Sequence, residues 1–206
     1  MIKVWESNMS VLEFESSAIQ DEAGVSAAVE SVVNSRQDEP LVLVAGMGKT
    51  EQRLLEAGEK SAAQDLVLAS TIAEGARTFY MQVARQLTFE AVWSETQNLL
   101  SGLFEEFSTL LHGIYLIGEL SPQGSRILQS YAERASCVIM AQALKEKGVQ
   151  AQSLGGRQLY FANSAHLSES LQEKTLTDFQ QEIALLSKGG TLPVIPFSLR
   201  SIATEE

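Results

Sequence analysis

A glycine-rich turn follows a short apolar run and is the first candidate for phosphate chemistry. Gly46, Gly48 and Lys49 belong to the sequence Gly-Met-Gly-Lys-Thr, directly after the apolar residues 41–45. Such turns can present backbone N–H groups to a phosphate at the start of a helix, and a lysine adds positive charge. The complete phosphate-loop pattern needs another glycine where this chain has Leu43. We therefore favour an ordinary strand-to-helix turn, a remnant of a phosphate loop, over a nucleotide site.

Few other side chains could act as nucleophiles, bases or metal ligands. The chain has one cysteine, Cys137, and two histidines, His112 and His166. These numbers exclude a cysteine-based zinc site and leave little for a histidine-based one, so we expect no metal ion. The sequence contains no Ser-His-Asp order or Cys-His pair, and we assign no catalytic residue. We expect His112 to pack among its apolar neighbours and Cys137 to be a buried, unreactive thiol.

The charge of the chain excludes several classes of partner. Its 206 residues include 15 Lys and Arg but 26 Asp and Glu, which gives a formal net charge of -11. A chain this acidic lacks the basic surface of nucleic-acid-binding proteins and is repelled by anionic membranes. No apolar run approaches the roughly 20 residues that span a bilayer, and the first residues lack an apolar signal core. We therefore expect a cytoplasmic protein.

Apolar patterning predicts strands that alternate with helices, with helices dominating the middle of the chain. Residues 41–45 are typical of a strand buried on both faces of a parallel sheet. Ser121 and Pro122 are suited to cap and begin a helix that Gly148 ends. The other helices are expected within 11–33 and over 50–59, 64–87, 89–117 and 175–187. Further strands are expected at 2–5, 149–154, 158–162 and 192–197, the last at an edge or an end because it contains two prolines.

This alternation implies an α/β sandwich around a mainly parallel sheet. Hydrophobic residues make up 45% of the chain and charged residues 20%, which is ordinary for a globular protein. The length suits one domain, and the sequence shows neither an internal repeat nor a composition change that would mark a boundary. We expect a single domain over residues 1–206.

Four segments of the chain resemble motifs of aspartokinases. Residues 111–122, Leu-His-Gly-Ile-Tyr-Leu-Ile-Gly-Glu-Leu-Ser-Pro, and the following Ala-Glu-Arg-Ala-Ser at 132–136 resemble two adjacent motifs of that family. Residues 43–50 resemble its Val-Ser-Ala-Met-Gly-Lys-Thr turn, and residues 191–197 resemble the strand before its Gly-Phe-Ile-Gly loop. The resemblance implies the amino-acid-kinase fold, a three-layer α/β/α sandwich with a mainly parallel sheet. It also implies a family reaction, the phosphorylation of the aspartate β-carboxylate by ATP with magnesium.

Site residues follow from the same resemblance. Glu133 matches the glutamate that helps to bind the substrate aspartate, and Thr50 or its neighbour Glu51 matches a threonine that faces the substrate. Ser10 matches the serine of the opening family motif Lys-Phe-Gly-Gly-Thr-Ser-Val. By resemblance, Thr50, Glu133 and Ser10 are the expected substrate-binding residues, and the protein is expected to form a homodimer.

The chain departs from the family where phosphoryl transfer needs a cation. With the opening motif aligned on Ser10, its lysine becomes Trp5, and a shift by one residue replaces it with Glu6. That lysine neutralises the phosphoryl group in the family, so its loss removes electrostatic stabilisation of the transfer. The glycine before Glu133 is also replaced, by Ala132. The sequence ends at Glu206, where the family continues into its nucleotide-binding half.

These departures predict an aspartokinase-like pseudokinase that has lost catalysis and binds an amino-acid ligand or a partner protein. We expect no bound cofactor, neither ATP nor magnesium. Two alternatives are open at this stage. The chain is either a catalytic fragment that needs a missing nucleotide-binding half, or a structural protein with no small-molecule site.

Overall fold

The computed structural model describes residues 10–155 and 169–200, and in them four strands and six long helices. In chain order these are β1 (Val11–Phe14), α1 (Glu22–Asn34), β2 (Leu41–Val44), α2 (Thr50–Ala62), α3 (Leu66–Leu87), α4 (Glu90–Ile117), α5 (Pro122–Glu146), β3 (Ala151–Ser153), α6 (Glu169–Lys188) and β4 (Leu192–Pro196). Single 3₁₀ turns occupy Arg36–Asp38 and Phe197–Leu199. No helix within these residues is long and apolar enough to cross a bilayer.

The four strands form one sheet in the order β1-β2-β4-β3, and every neighbouring pair is parallel. Val11 pairs with Leu41, and Val42 pairs with Val194 on the other side of β2. Parallel strands need long crossover connections, which the helices between them supply. The predicted parallel α/β sheet is confirmed.

Helices cover both faces of the sheet. Val42 and Val44 point to one face and join the larger apolar cluster formed by helices α1 to α5. Leu41 and Leu43 point to the other face, where they pack with Phe179 of α6. This alternation is the two-residue period of a strand, and it explains why β2 is apolar at every position. The predicted three-layer α/β/α sandwich is confirmed.

Local sequence signals place the ends of the long central helices as expected. The Ser121 side chain caps α5 by accepting a hydrogen bond from the Gly124 N–H at 3.0 Å, with Pro122 in the first turn. The Asp65 carboxylate accepts from Leu68 N–H in the same way at the start of α3. Gly118 ends α4 with a φ of 73°, a left-handed conformation that favours glycine.

Several sequence expectations need correction. Val11–Phe14 is a strand, and only Glu22–Asn34 of the expected helical region is a helix. The two prolines of β4 do not mark an edge, because β4 lies between β2 and β3. Pro193 precedes the pairing with β2 and lies opposite Gln152 of β3, and Pro196 is the last residue paired with β2. His112 is exposed on α4, since the buried stripe of that helix passes through Leu111 instead.

Other expectations lie partly or wholly outside the described residues. These are the strands at 2–5 and 158–162 and the single domain over 1–206, which stay predictions. Cys137 is buried, as expected, and burial, with a smaller contribution from the charge of Glu133, raises the pKa of its thiol.

Candidate functional site

The carboxyl ends of parallel strands meet at one edge of the sheet, which is where α/β proteins bind ligands. In this chain the turn that leaves β2 at this edge lies against the middle of α5. A Cβ atom built on Gly46 would lie 2.9 Å from the Cβ of Ala132 and 2.7 Å from the Glu51 side chain. Only glycine therefore allows this turn and α5 to approach so closely.

Two backbone donors of the glycine turn are already bonded inside the protein. Gly46 N–H donates to Glu51 Oε1 at 3.0 Å. Met47 N–H donates to the Ser136 hydroxyl at 3.1 Å. The Glu51 carboxylate thus occupies the Gly46 donor, and its charge would repel a phosphate at this turn. The two bonded donors and the acidic side chain of Glu51 favour the ordinary turn over a phosphate loop. Lys49 is exposed beside this turn, at the start of α2.

Thr50 is part of a buried network of hydrogen bonds. Its hydroxyl lies 2.7 Å from the Met47 carbonyl oxygen and 2.7 Å from the Tyr80 hydroxyl. The Tyr80 hydroxyl donates to the Ala132 carbonyl oxygen of α5 at 2.9 Å. Ser136 bonds the same carbonyl oxygen, also at 2.9 Å. The network ties the glycine turn, α3 and α5 together around fully buried Tyr80.

We expect the stability of the protein to fall in alkaline solution because of Tyr80. Burial raises the pKa of Tyr80 to about 12, although its bonds to Ser136 and Thr50 act in the opposite direction. In the unfolded chain this pKa is about 10. The stability that the neutral phenol provides is therefore complete below pH ~10 and is lost as the pH rises through ~12. Urea denaturation between pH 9 and 11.5 should show a falling midpoint, with a shallower fall in Tyr80→Phe. An equal fall in both proteins would contradict this assignment.

Glu133 is bonded to the turn that follows β4. Ser198 N–H donates to Glu133 Oε1 at 3.0 Å, and the Ser198 hydroxyl bonds Oε2. Glu133 is only 7% exposed, so the turn shields this carboxylate from solvent. The expected substrate-binding glutamate therefore has internal hydrogen-bond partners in this structure.

A charged pair ties the same turn to the first strand. Arg200 Nε lies 3.1 Å from Glu13 Oε1, and its Nη1 lies 3.3 Å from Glu13 Oε2. The Nη1 contact is a hydrogen bond and the Nε contact adds a close ion-pair distance, in a pair that is partly exposed to solvent. Residues 198–200 thereby join β1 on one side to α5 on the other. The sequence motifs did not indicate Glu13, Ser198 or Arg200 as parts of the site. The available signal was the divergence of Pro-Phe-Ser-Leu at 196–199 from the family's Gly-Phe-Ile-Gly loop.

The structure brings some of the expected residues together and separates one. Gly46 packs against Ala132 of α5, next to Glu133, and Thr50 is connected to Ala132 through the Tyr80 hydroxyl. Ser10 precedes β1 at the opposite edge of the sheet, where its hydroxyl donates to the Asp38 carbonyl oxygen at 3.3 Å. The substrate-binding roles of Thr50, Glu133 and Ser10 stay predictions. No group of three or more acidic, histidine or cysteine side chains that could hold a metal ion occurs in the part of the chain described.

Comparison with known proteins gives a consistent family. The model of the amino acid kinase family matches residues 8–198. Chloroplastic aspartokinase 1 of Arabidopsis thaliana is 25% identical over 153 residues, which are 73% of this chain and 26% of that protein. Chloroplastic aspartokinase 2 of the same plant is 24% identical over 153 residues and is covered to 27%. The chain thus spans about a quarter of the length of these curated relatives.

Solved structures share the fold. E. coli aspartokinase III in complex with lysine and aspartate matches with a TM-score of 0.71 and 16% identity, over 92% of this chain and 41% of its own. The same enzyme in complex with aspartate and ADP matches with a TM-score of 0.67 and 15% identity, over 91% and 40%. The family model covers nearly the whole chain, and the curated relatives are aspartokinases. The chain therefore belongs to the amino acid kinase family, as an aspartokinase-like member of it.

Proposed function

We propose that this chain is a pseudokinase that does not transfer a phosphoryl group from ATP to aspartate and acts by binding. The observation that carries the proposal is a carboxylate, Glu13, at the place where the family motif has its phosphate-neutralising lysine. Self-association into a dimer and a cytoplasmic location belong to the same proposal by resemblance.

The place of Glu13 depends on a revised alignment of the opening motif. The first strand of the sheet, β1, is Val11–Phe14 and pairs with β2. It is followed by a turn and then by α1. Residues 13–19, Glu-Phe-Glu-Ser-Ser-Ala-Ile, fit Lys-Phe-Gly-Gly-Thr-Ser-Val with the phenylalanine retained. In this register the motif spans the end of the strand and the turn, whereas aligning its serine with Ser10 places it before β1. The lysine position is then Glu13, and the two glycines become Glu15 and Ser16.

This replacement inverts the charge that phosphoryl transfer requires. Transfer depends on cations that neutralise the developing charge on the phosphoryl oxygens. Glu13 supplies a negative charge instead, and Glu15 adds a second one where the family has glycine. Arg200 forms an ion pair with Glu13, so its positive charge is already directed to that carboxylate. With Glu15 uncompensated by Arg200, the arrangement opposes a nucleotide phosphate.

The internal bonds of Glu133 support the same proposal. A substrate ammonium at this carboxylate would have to displace the Ser198 N–H and hydroxyl. Relatives whose structures contain aspartate show that this fold can bind amino acids, but binding at Glu133 here would carry an added cost. We therefore place the binding activity of this protein away from Glu133.

The proposal is tested by assaying the purified chain with ATP, magnesium and aspartate. Aspartyl phosphate is trapped with hydroxylamine as the hydroxamate, and ADP is measured in parallel. We expect no hydroxamate above the blank from the native chain or from Glu133→Gln, a substitution that preserves shape and removes charge.

Two results would overturn the proposal. The first is hydroxamate formation by the native chain that needs both ATP and aspartate and is lost in Glu133→Gln. The second is recovery of transfer when a separately produced nucleotide-binding half of a relative is added. That second result would favour the catalytic-fragment alternative, whereas absence of activity in both arms supports the pseudokinase.

A further inference from the structure

A cavity of about 370 Å³ lies between α4, α5 and the carboxyl end of β3. Its volume falls within the range of small-molecule sites. The lining combines one arginine and one glutamate with an apolar wall of Leu99, Leu103, Val138 and Leu154. Ser153 and Gly155 of the lining place the cavity at the ligand-binding edge of the parallel sheet.

Arg134, one of the two charged residues that line this cavity, has a side-chain nitrogen without a hydrogen-bond partner in the part of the chain that the structure describes. Its guanidinium lies over the ring of Tyr131 at 4.6 Å. Nη2 reaches Glu106 Oε2 at 3.2 Å. Nη1 is buried and has no hydrogen-bond partner among the described residues. A buried charged donor without a partner is costly, so a ligand oxygen that bonds Nη1 would remove this cost.

We propose that this cavity binds a free α-amino acid with an apolar side chain. The ligand carboxylate bonds Arg134, its ammonium bonds half-exposed Glu106, and its side chain lies against Leu103 and Val138. The choice of a zwitterion follows from charge, because the arginine and the glutamate together are neutral and the chain as a whole carries -11. A dicarboxylate or a phosphate would leave Glu106 and the overall charge opposed to it.

This inference does not depend on the loss of catalysis. Arg134 and Glu106 take no part in the contacts among Glu13, Arg200, Glu133 and Ser198. Failure to bind an amino acid would therefore leave the proposed pseudokinase standing, and detection of kinase activity would leave this site standing.

Isothermal titration of the native chain with L-leucine tests the site, with L-leucinamide, N-acetyl-L-leucine and L-aspartate as comparison ligands. We expect saturable binding of leucine. The amide and the acetylated compound should each bind at least about tenfold more weakly, because each lacks one of the two charges. Aspartate should also bind more weakly.

Substitutions of residues that line the cavity test whether leucine binds there. Arg134→Gln and Glu106→Gln should each weaken leucine binding about tenfold or more. Glu105→Gln, at the neighbouring exposed position of α4, should leave it unchanged. Gly102 lines the cavity and has open space around a built Cβ, so Gly102→Leu should fill the cavity, abolish binding and leave the fold intact. Gly113→Leu, also open and on α4, is its matched control.

The proposal is overturned if leucine produces no saturable heat at millimolar concentrations. It is equally overturned if Gly102→Leu melts like the native chain and still binds leucine with native affinity. Tighter binding of aspartate than of leucine would contradict the assigned ligand class.

Discussion

Replacing Tyr80 with phenylalanine is expected to lower the free energy of unfolding by about 1–3 kcal/mol. The ring would keep its packing, including its contact with Phe104 at 5.9 Å between centroids. The change removes only the hydroxyl, which bonds the Ala132 carbonyl oxygen and lies 2.7 Å from Thr50 Oγ1. Those buried groups would lose a partner without gaining access to water. Tyr80→Ala should cost about 3–5 kcal/mol, since it also leaves a cavity.

Urea denaturation of the native chain and these variants measures the effect. Tyr115→Phe is the matched control, because Tyr115 is only half-buried on α4. It should change the free energy of unfolding by less than about 0.5 kcal/mol. A Tyr80→Phe variant as stable as the control would show that the buried hydroxyl network contributes little.

Replacing Gly58 with alanine is expected to destabilise the protein by about 1–3 kcal/mol, although alanine is the better helix former. Gly58 lies in α2 where it crosses α5. An added Cβ would be 2.1 Å from Leu128 Cδ1 and 3.2 Å from Leu120 Cδ2. Leu128 is fully buried and cannot rotate away into solvent. The two helices would have to separate or Leu128 would have to adopt a strained rotamer.

Gly75→Ala is the matched control for this substitution. Gly75 is exposed within α3, and no atom lies within 4 Å of a built Cβ. There the same change should stabilise the protein by about 0.5–1 kcal/mol. In a Leu128→Ala background, Gly58→Ala should lose most of its cost, because the colliding methyl group is gone. If the cost is unchanged in that background, the collision is not its cause.

Most of the fold was accessible from the sequence because its strongest signals are local. The unbroken apolar run of β2 indicated a strand covered on both faces, and Ser121 with Pro122 indicated the start of α5. The place of β4 was not accessible, because its prolines are compatible with an edge strand as well as with an inner strand. Only the pairing of Val194 with Val42 distinguishes these cases, and that contact joins distant parts of the chain.

The candidate site was less predictable than the fold. The sequence motifs led to Glu133 and to the glycine turn, but they carry no information on what else bonds to those groups. Ser198 and Arg200 act through partners 65 and 187 residues away. The alignment of the opening motif on Ser10 rested on the dipeptide Ser-Val, whereas the strand pairing of Val11–Phe14 favours a register that retains the phenylalanine.

The position of β4 has a consequence for the order in which the protein can form during synthesis. β4 lies between β2 and β3 and supplies every strand-to-strand contact that β3 makes in the described sheet. A ribosome that has released residues 10–155 has therefore produced one half of the sheet, β1 and β2, and a separate strand without a neighbour. Edges of this kind attract other chains. The nascent protein is most exposed to aggregation in the interval before residues 192–196 emerge and join the two parts.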